Sequence, residues 1–308
     1  MKHLTTATAC VLMSAPITAW SQQCTDVRFS DVGWTDITAT TALASEVLDA
    51  IGYNPTDRVL SVPVTYRSLA NNDLDVFLGN WMPTMAADIA PYHEDGTVET
   101  LRANLEGAKY TLAVTQTAYD AGLQSFADIA RFSSELNGRI YGIEPGNDGN
   151  RLIQDMIDDN AFDLGDFRLM ESSEAGMLSQ VARAVRRDEW IVFLGWEPHP
   201  MNANFDLVYL EGGDDWFGPD LGGATVYTNV RAGFTEDCPN LGTFFNNLTF
   251  TLEMENEVMG AIINDGQDPG VAARTWLTDN PEVLTAWLDG VTTPAGEPAL
   301  PVAQATFQ

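Results

Sequence analysis

Arg58 to Trp81 reads RVLSVPVTYRSLANNDLDVFLGNW. An apolar start, a short helical middle and a second apolar run ending on Gly79 and Trp81 give a strand, a helix and a strand. That rhythm predicts a parallel α/β sheet. Upstream, DVRFSDVGWTD (Asp26–Asp36) alternates and then breaks at Gly33, a strand running into a loop. ITATTALASEVLDAIG (Ile37–Gly52) has helical spacing and a glycine stop. Downstream, AKYTLAV (Ala108–Val114), RIYGIE (Arg139–Glu144) and FDLVYL (Phe205–Leu210) read as further strands. GMLSQVARAVRRDEWIVFLGW (Gly176–Trp196) is a helix followed by a strand. From about Thr243 the chain is mostly helical, and the Pro/Ala/Thr-rich tail after Gly290 is expected to be a poorly ordered end.

The start of the chain, MKHLTTATACVLMSAPITAWSQQ, has a basic n-region, a short apolar stretch and an Ala-x-Ser ending at Ala19–Ser21. We expect residues 1–21 to be a cleaved secretory signal, with the mature protein soluble and exported. The apolar stretch is too short to span a bilayer. A lipoprotein reading fails on the Ser-Gln-Gln that precedes Cys24, where a small-residue box is needed. Loss of Cys10 with the signal leaves Cys24 and Cys238, an even pair in an oxidising compartment. They are expected to form a disulfide; the alternative is two buried thiols. A bond would join the mature N-terminus to the C-terminal half and make the middle of the chain an insertion.

The whole chain has 15 Lys and Arg against 44 Asp and Glu. Nucleic acid and acidic lipid headgroups are therefore poor partners, whereas cationic solutes are attracted. His93 and His199 are the histidines left after the signal and sit in no ligand motif, so no metal or other cofactor is expected.

In open α/β sheets ligands bind beyond the carboxyl ends of strands. Here those positions hold Trp34 with Asp36, Trp81, the turn EPGNDGN (Glu144–Asn150), and Trp196 with Glu197. VFLGNWMP (Val76–Pro83) and IVFLGWEPHP (Ile191–Pro200) echo one another, each running Phe-Leu-Gly, Trp, Pro. A tryptophan at a strand end is by default a packing residue, and Trp190, Trp216, Trp276 and Trp287 are read so. Three at equivalent positions instead suggest walls of one cage. Indole faces suit a quaternary ammonium ion, each contributing about 0.5–2 kcal/mol of cation–π attraction. Asp36 is either a helix cap or a pocket carboxylate. Asn147 offers an amide to a neutral hydroxyl. A hydrolytic pair formed by Glu144 and Glu197 is the weaker alternative.

Seven segments carry a family resemblance: GWTDITATTA, DVFLGNWMPTM, GAKYTLA, YGIEPGNDGNRLI, IVFLGWEPHPMN, GGATVYTNVRAG and MENEVMG. In this order they resemble the periplasmic choline-binding proteins of bacterial ABC importers, within the glycine betaine and choline substrate-binding family. The resemblance implies a bilobal α/β protein, two lobes with parallel-rich sheets joined by a two-stranded hinge, that does no chemistry. Lobe 1 would comprise residues 22–109 and 212–308, and lobe 2 residues 110–211. It further implies an aromatic box of Trp34, Trp81, Tyr110 and Trp196 around the trimethylammonium group. Asp36 and Asn147 would take the hydroxyl end. Tyr110 enters only through the resemblance, because AKYTLAV looks like an ordinary strand. The expected partners are choline or a related onium ion and an inner-membrane ABC permease, and we expect a monomer.

Overall fold

The computed structural model describes residues 24–308. The expected signal, residues 1–21, and Cys10 within it lie outside the described residues. Nine strands form one sheet: β1 Asp26–Asp31, β2 Asn54–Val59, β3 Val76–Met82, β4 Val98–Thr115, β5 Arg139–Tyr141, β6 Arg168–Met170, β7 Val192–Glu197, β8 Leu207–Tyr209 and β9 Gly223–Arg231. The order is β2-β1-β3-β9-β4-β7-β5-β6, with β8 pairing β4 beside this path. The strand–helix–strand units give parallel pairs on both flanks, β1 with β2 and β3, and β5 with β6 and β7. The centre is antiparallel, because β9 returns from the far end of the chain to lie between β3 and β4.

β4 spans both halves of the molecule. From Val98 to Lys109 it pairs with β9, and from Lys109 to Val114 with β7. Lys109 is the residue at which the partner changes, facing both Gly223 and Glu197. β1, β2, β3 and β9 make one half of the sheet, and β5 to β8 the other.

Helix Val62–Ala70 sits between β2 and β3, as the opening stretch predicts. The strand before it begins earlier than the apolar signal suggests, at Asn54, and five of its six residues are exposed. An edge strand bonded on one side needs no apolar face, so its sequence NPTDRV carries little strand pattern. Helix Thr35–Ala50 buries Ile37, Leu43, Val47 and Leu48 on the core side. The helices Leu252–Ile263 and Pro269–Asp279 pack against it. The amino-terminal half is thus completed by the last third of the chain.

Cys24 and Cys238 are bonded, with Cα atoms 5.6 Å apart across 214 positions of sequence. The tail departs from expectation. Residues after Gly290 form a short bridge, Thr292 to Pro298, and then helix Ala299–Thr306. Ala299, Ala303 and Phe307 are buried. Their spacing of four puts all three on one helix face, and burial of that face outweighs the coil-forming composition of PAGEP just before it. No helix among the described residues is long and apolar enough to cross a membrane.

Candidate functional site

Among the described residues, a pocket lies where the two halves of the sheet meet. Trp34, Asp36, Trp81, Tyr110, Asn147 and Trp196 all line it, joined by Ile143 and Asp148.

Local structure accounts for each wall. Gly33, at φ +81°, turns the chain out of β1 and presents Trp34 ahead of helix Thr35–Ala50. Trp81 and Trp196 stand near the ends of β3 and β7. Each echo then closes on a cis peptide bond, Met82–Pro83 and Glu197–Pro198. Tyr110 faces Trp196 across the β4–β7 pairing, so the rings stand side by side, centroids 6.3 Å apart at 79°. Trp81 lies 6.0 Å from the same phenol. A side chain on Gly149 would collide with the Tyr110 hydroxyl, so glycine there lets the phenol reach the helix start.

The ring polar atoms are tied back into the protein. Trp34 Nε1–H donates to Glu144 (2.7 Å), Trp81 Nε1–H to Asp36 (3.1 Å) and the Tyr110 hydroxyl to Asn147 Oδ1 (2.9 Å). These bonds tie the polar edges of three of the lining rings to the protein. Asn147 is the N-cap of helix Asp148–Asp158, its Oδ1 also accepting from Asn150 N–H. With that oxygen doubly used and one amide hydrogen spent on Asp148 Oδ1, one N–H of Asn147 remains free to donate. Asp36 lies in the first turn of its helix, while Trp34 holds the cap position without a side-chain bond. Asp36 Oδ1 is buried and has no partner, as is Asp148 Oδ2.

Burial dominates the electrostatics. Desolvation, reinforced by the charge of Glu174, pushes the Asp36 carboxyl up to about 8. Desolvation likewise lifts Glu144 to about 7 and Asp148 to about 6. Glu255, on helix Leu252–Ile263, is raised well above the usual carboxylate range by burial and then by the charge of Asp36. The hollow thus disfavours bare anionic charge, and a cation inside it would reverse that. No Lys or Arg among the described residues lines the cavity. Arg151 sits in the first turn of its helix and donates to Thr84 O (3.0 Å) and Asp88 (2.9 Å).

The hydrolytic alternative finds no shared site. Glu197 is ion-paired with Lys109 at 3.2 Å, Glu144 is bonded to Trp34, and neither lines the cavity. Ile143 and Asp148 are the lining residues that sequence reasoning missed. Asp148 follows the Asn147 cap directly, so the turn motif itself was the available signal.

A single sheet shared by two halves, with an aromatic-lined hollow between them, defines a bilobal α/β binding protein of the transport type. The chain belongs to the family described as the substrate binding domain of ABC-type glycine betaine transport systems, whose model matches residues 25–279. Members of this kind are transport substrate-binding proteins and not enzymes. Among solved structures it is similar to an ABC-transporter choline binding protein in complex with choline. That likeness is 62% in sequence, with TM-score 0.92, covering 93% of this chain and 99% of the other. The unliganded semi-closed form of an ABC-transporter choline binding protein is also 62% identical, with TM-score 0.86, over 92% of this chain and 99% of that one. The glycine betaine/carnitine transport binding protein GbuC of Listeria monocytogenes is 35% identical over 157 residues, 51% of either protein.

Proposed function

We propose that this protein is the periplasmic receptor of an ABC importer and that its ligand is choline. The observation that carries the reading is the polar content of the hollow: donors are few, a free amide N–H on Asn147 and the unpaired indole N–H of Trp196, beside unpartnered carboxyl oxygens on Asp36 and Asp148. A hydroxyl both donates and accepts, and it matches one donor and one acceptor. A ligand carboxylate needs several donors and would face acceptors instead. The rings of Trp34, Trp81, Tyr110 and Trp196 take the trimethylammonium group, whose methyl surface is cheap to desolvate.

The lobes in this reading are residues 22–109 with 212–308, and 110–211. The change of β4 partner at Lys109 supports the first boundary. Ligand bridging favours the closed state by binding both lobes at once. The greater similarity to the choline complex than to the semi-closed unliganded form fits a closed cleft. The protein acts as a monomer that delivers its cargo to an inner-membrane permease.

Glycine betaine is the second reading, favoured by the description of the matching family and by the likeness to GbuC. Calorimetry on refolded, ligand-free protein separates the two. Choline is expected to bind at least about tenfold tighter, a difference of about 1.4 kcal/mol. Equal affinities would defeat the choline assignment.

A further inference from the structure

Glu174 does not line the cavity, yet it is bonded to the backbone beside one cage wall and to the ring beside another. It opens helix Glu174–Arg187, in the half that holds β7, and is buried. Its Oε2 accepts the backbone N–H of Thr35 at 2.8 Å, and its Oε1 accepts the Thr35 hydroxyl. Thr35 is the first residue of its helix, directly after Trp34, and that helix has no side-chain cap of its own. A carboxylate from the opposite half therefore takes the place of a local cap, where the helix dipole also favours negative charge.

Behind Glu174 stands His199. Its Nδ1 accepts the Met201 N–H at 2.9 Å, which leaves the proton on Nε2, and Nε2–H donates to Glu174 Oε1 at 3.1 Å. The imidazole edge packs on Trp196, ring centroids 4.9 Å apart. The sequence of contacts is Trp34–Thr35, Glu174, His199, Trp196. It joins a cage wall of one half to a cage wall of the other. On the two-lobe reading, the Glu174–Thr35 bonds would break when the halves part.

We propose that Glu174 is the closure latch of this receptor, a positioning residue that holds Trp34 and Trp196 in place and slows ligand escape. The inference rests on the two-lobe, onium-binding reading. Opening would free both Thr35 donors to water, so the latch contributes to the closed, liganded state and little to the encounter. Its loss belongs in the dissociation rate.

The test is stopped-flow tryptophan fluorescence with choline on the wild-type protein, Glu174→Gln, Thr35→Pro and the double variant. Proline is well tolerated at the first position of a helix and removes both Thr35 donors. Trp34, at φ −90° and ψ 136°, already has the extended backbone that precedes proline. Each single variant is expected to release choline about ten- to a hundredfold faster, with association within about threefold of wild type. Ligand-free melting should be unchanged, and the double variant no worse than the weaker single, because Thr35→Pro already removes every bond that Glu174→Gln weakens at Thr35. Release within threefold of wild type in both singles, or multiplicative effects in the double, would overturn the latch alone. Failure of wild-type protein to bind either choline or glycine betaine would overturn the site reading and the latch with it.

Discussion

Trp81 and Trp196 both present indole faces to the hollow, but only Trp81 also holds a carboxylate. Its Nε1–H donates to Asp36 Oδ2, while the Trp196 N–H has no protein partner among the described residues. Exchange of either for Phe keeps an aromatic face and loses part of it. The shared loss is about 1–2 kcal/mol from weaker cation–π attraction and lost burial. Trp81→Phe additionally strips Asp36 of its donor, leaving both oxygens unpartnered in a buried site, at a cost of about 1–3 kcal/mol. Choline should therefore bind Trp81→Phe about five- to a hundredfold more weakly than Trp196→Phe, by calorimetry on ligand-free protein. In an Asp36→Asn background most of that gap should close, since the charge being held is gone. Affinities of the two Phe variants within twofold of each other, or a gap that survives Asp36→Asn unchanged, would refute the reasoning.

Asp36→Asn should weaken choline more than tetramethylammonium, which has no hydroxyl; equal losses would mean that Asp36 acts through general charge. Gly149→Ala drives a methyl against the Tyr110 hydroxyl and should cost at least about tenfold in choline affinity, together with about 1–3 kcal/mol of stability in denaturant unfolding. Asp36, Glu144 and Asp148 have raised pKa values in the folded state, about 8, 7 and 6. The folded protein therefore binds more protons than the unfolded one above pH 4, and this stability is lost as pH rises through those values. Ligand-free melting temperature should fall between about pH 5 and 8.5, and the choline-induced rise should grow, because a bound cation favours ionised Asp36; a rise that shrinks with pH contradicts this. Replacing Cys24 and Cys238 by serine should cost roughly 2–4 kcal/mol in denaturant unfolding and leave choline affinity intact.

The strand-end tryptophans were legible because an apolar strand that stops on Trp and Pro is a local pattern. Tyr110 was not. It lies in the middle of β4, and what makes it a wall is its register opposite Trp196, set by a strand over eighty residues away. Glu174 was hidden for a similar reason: an acid at a helix start reads as serving its own helix, whereas it serves the helix of the facing half. The strand–helix–strand rhythm foretold the parallel flanks. It carried no information on the antiparallel centre, because β9 takes its place between β3 and β4 through contacts that only the folded chain makes. The tail was misread on composition, where the spacing of Ala299, Ala303 and Phe307 was the better guide.

Tyr110 follows Lys109, where β4 exchanges one neighbour for the other. On the two-lobe reading, any swing of the halves turns about that point, so the phenol stays nearly still while Trp34 and Trp196 travel on opposite arms. A bulkier onium headgroup is then met by a swing that stops a few degrees short, with no wall rebuilt. Selectivity in such a receptor becomes an angle, and a permease that recognises only the fully shut outline would reject the wrong cargo without ever touching it.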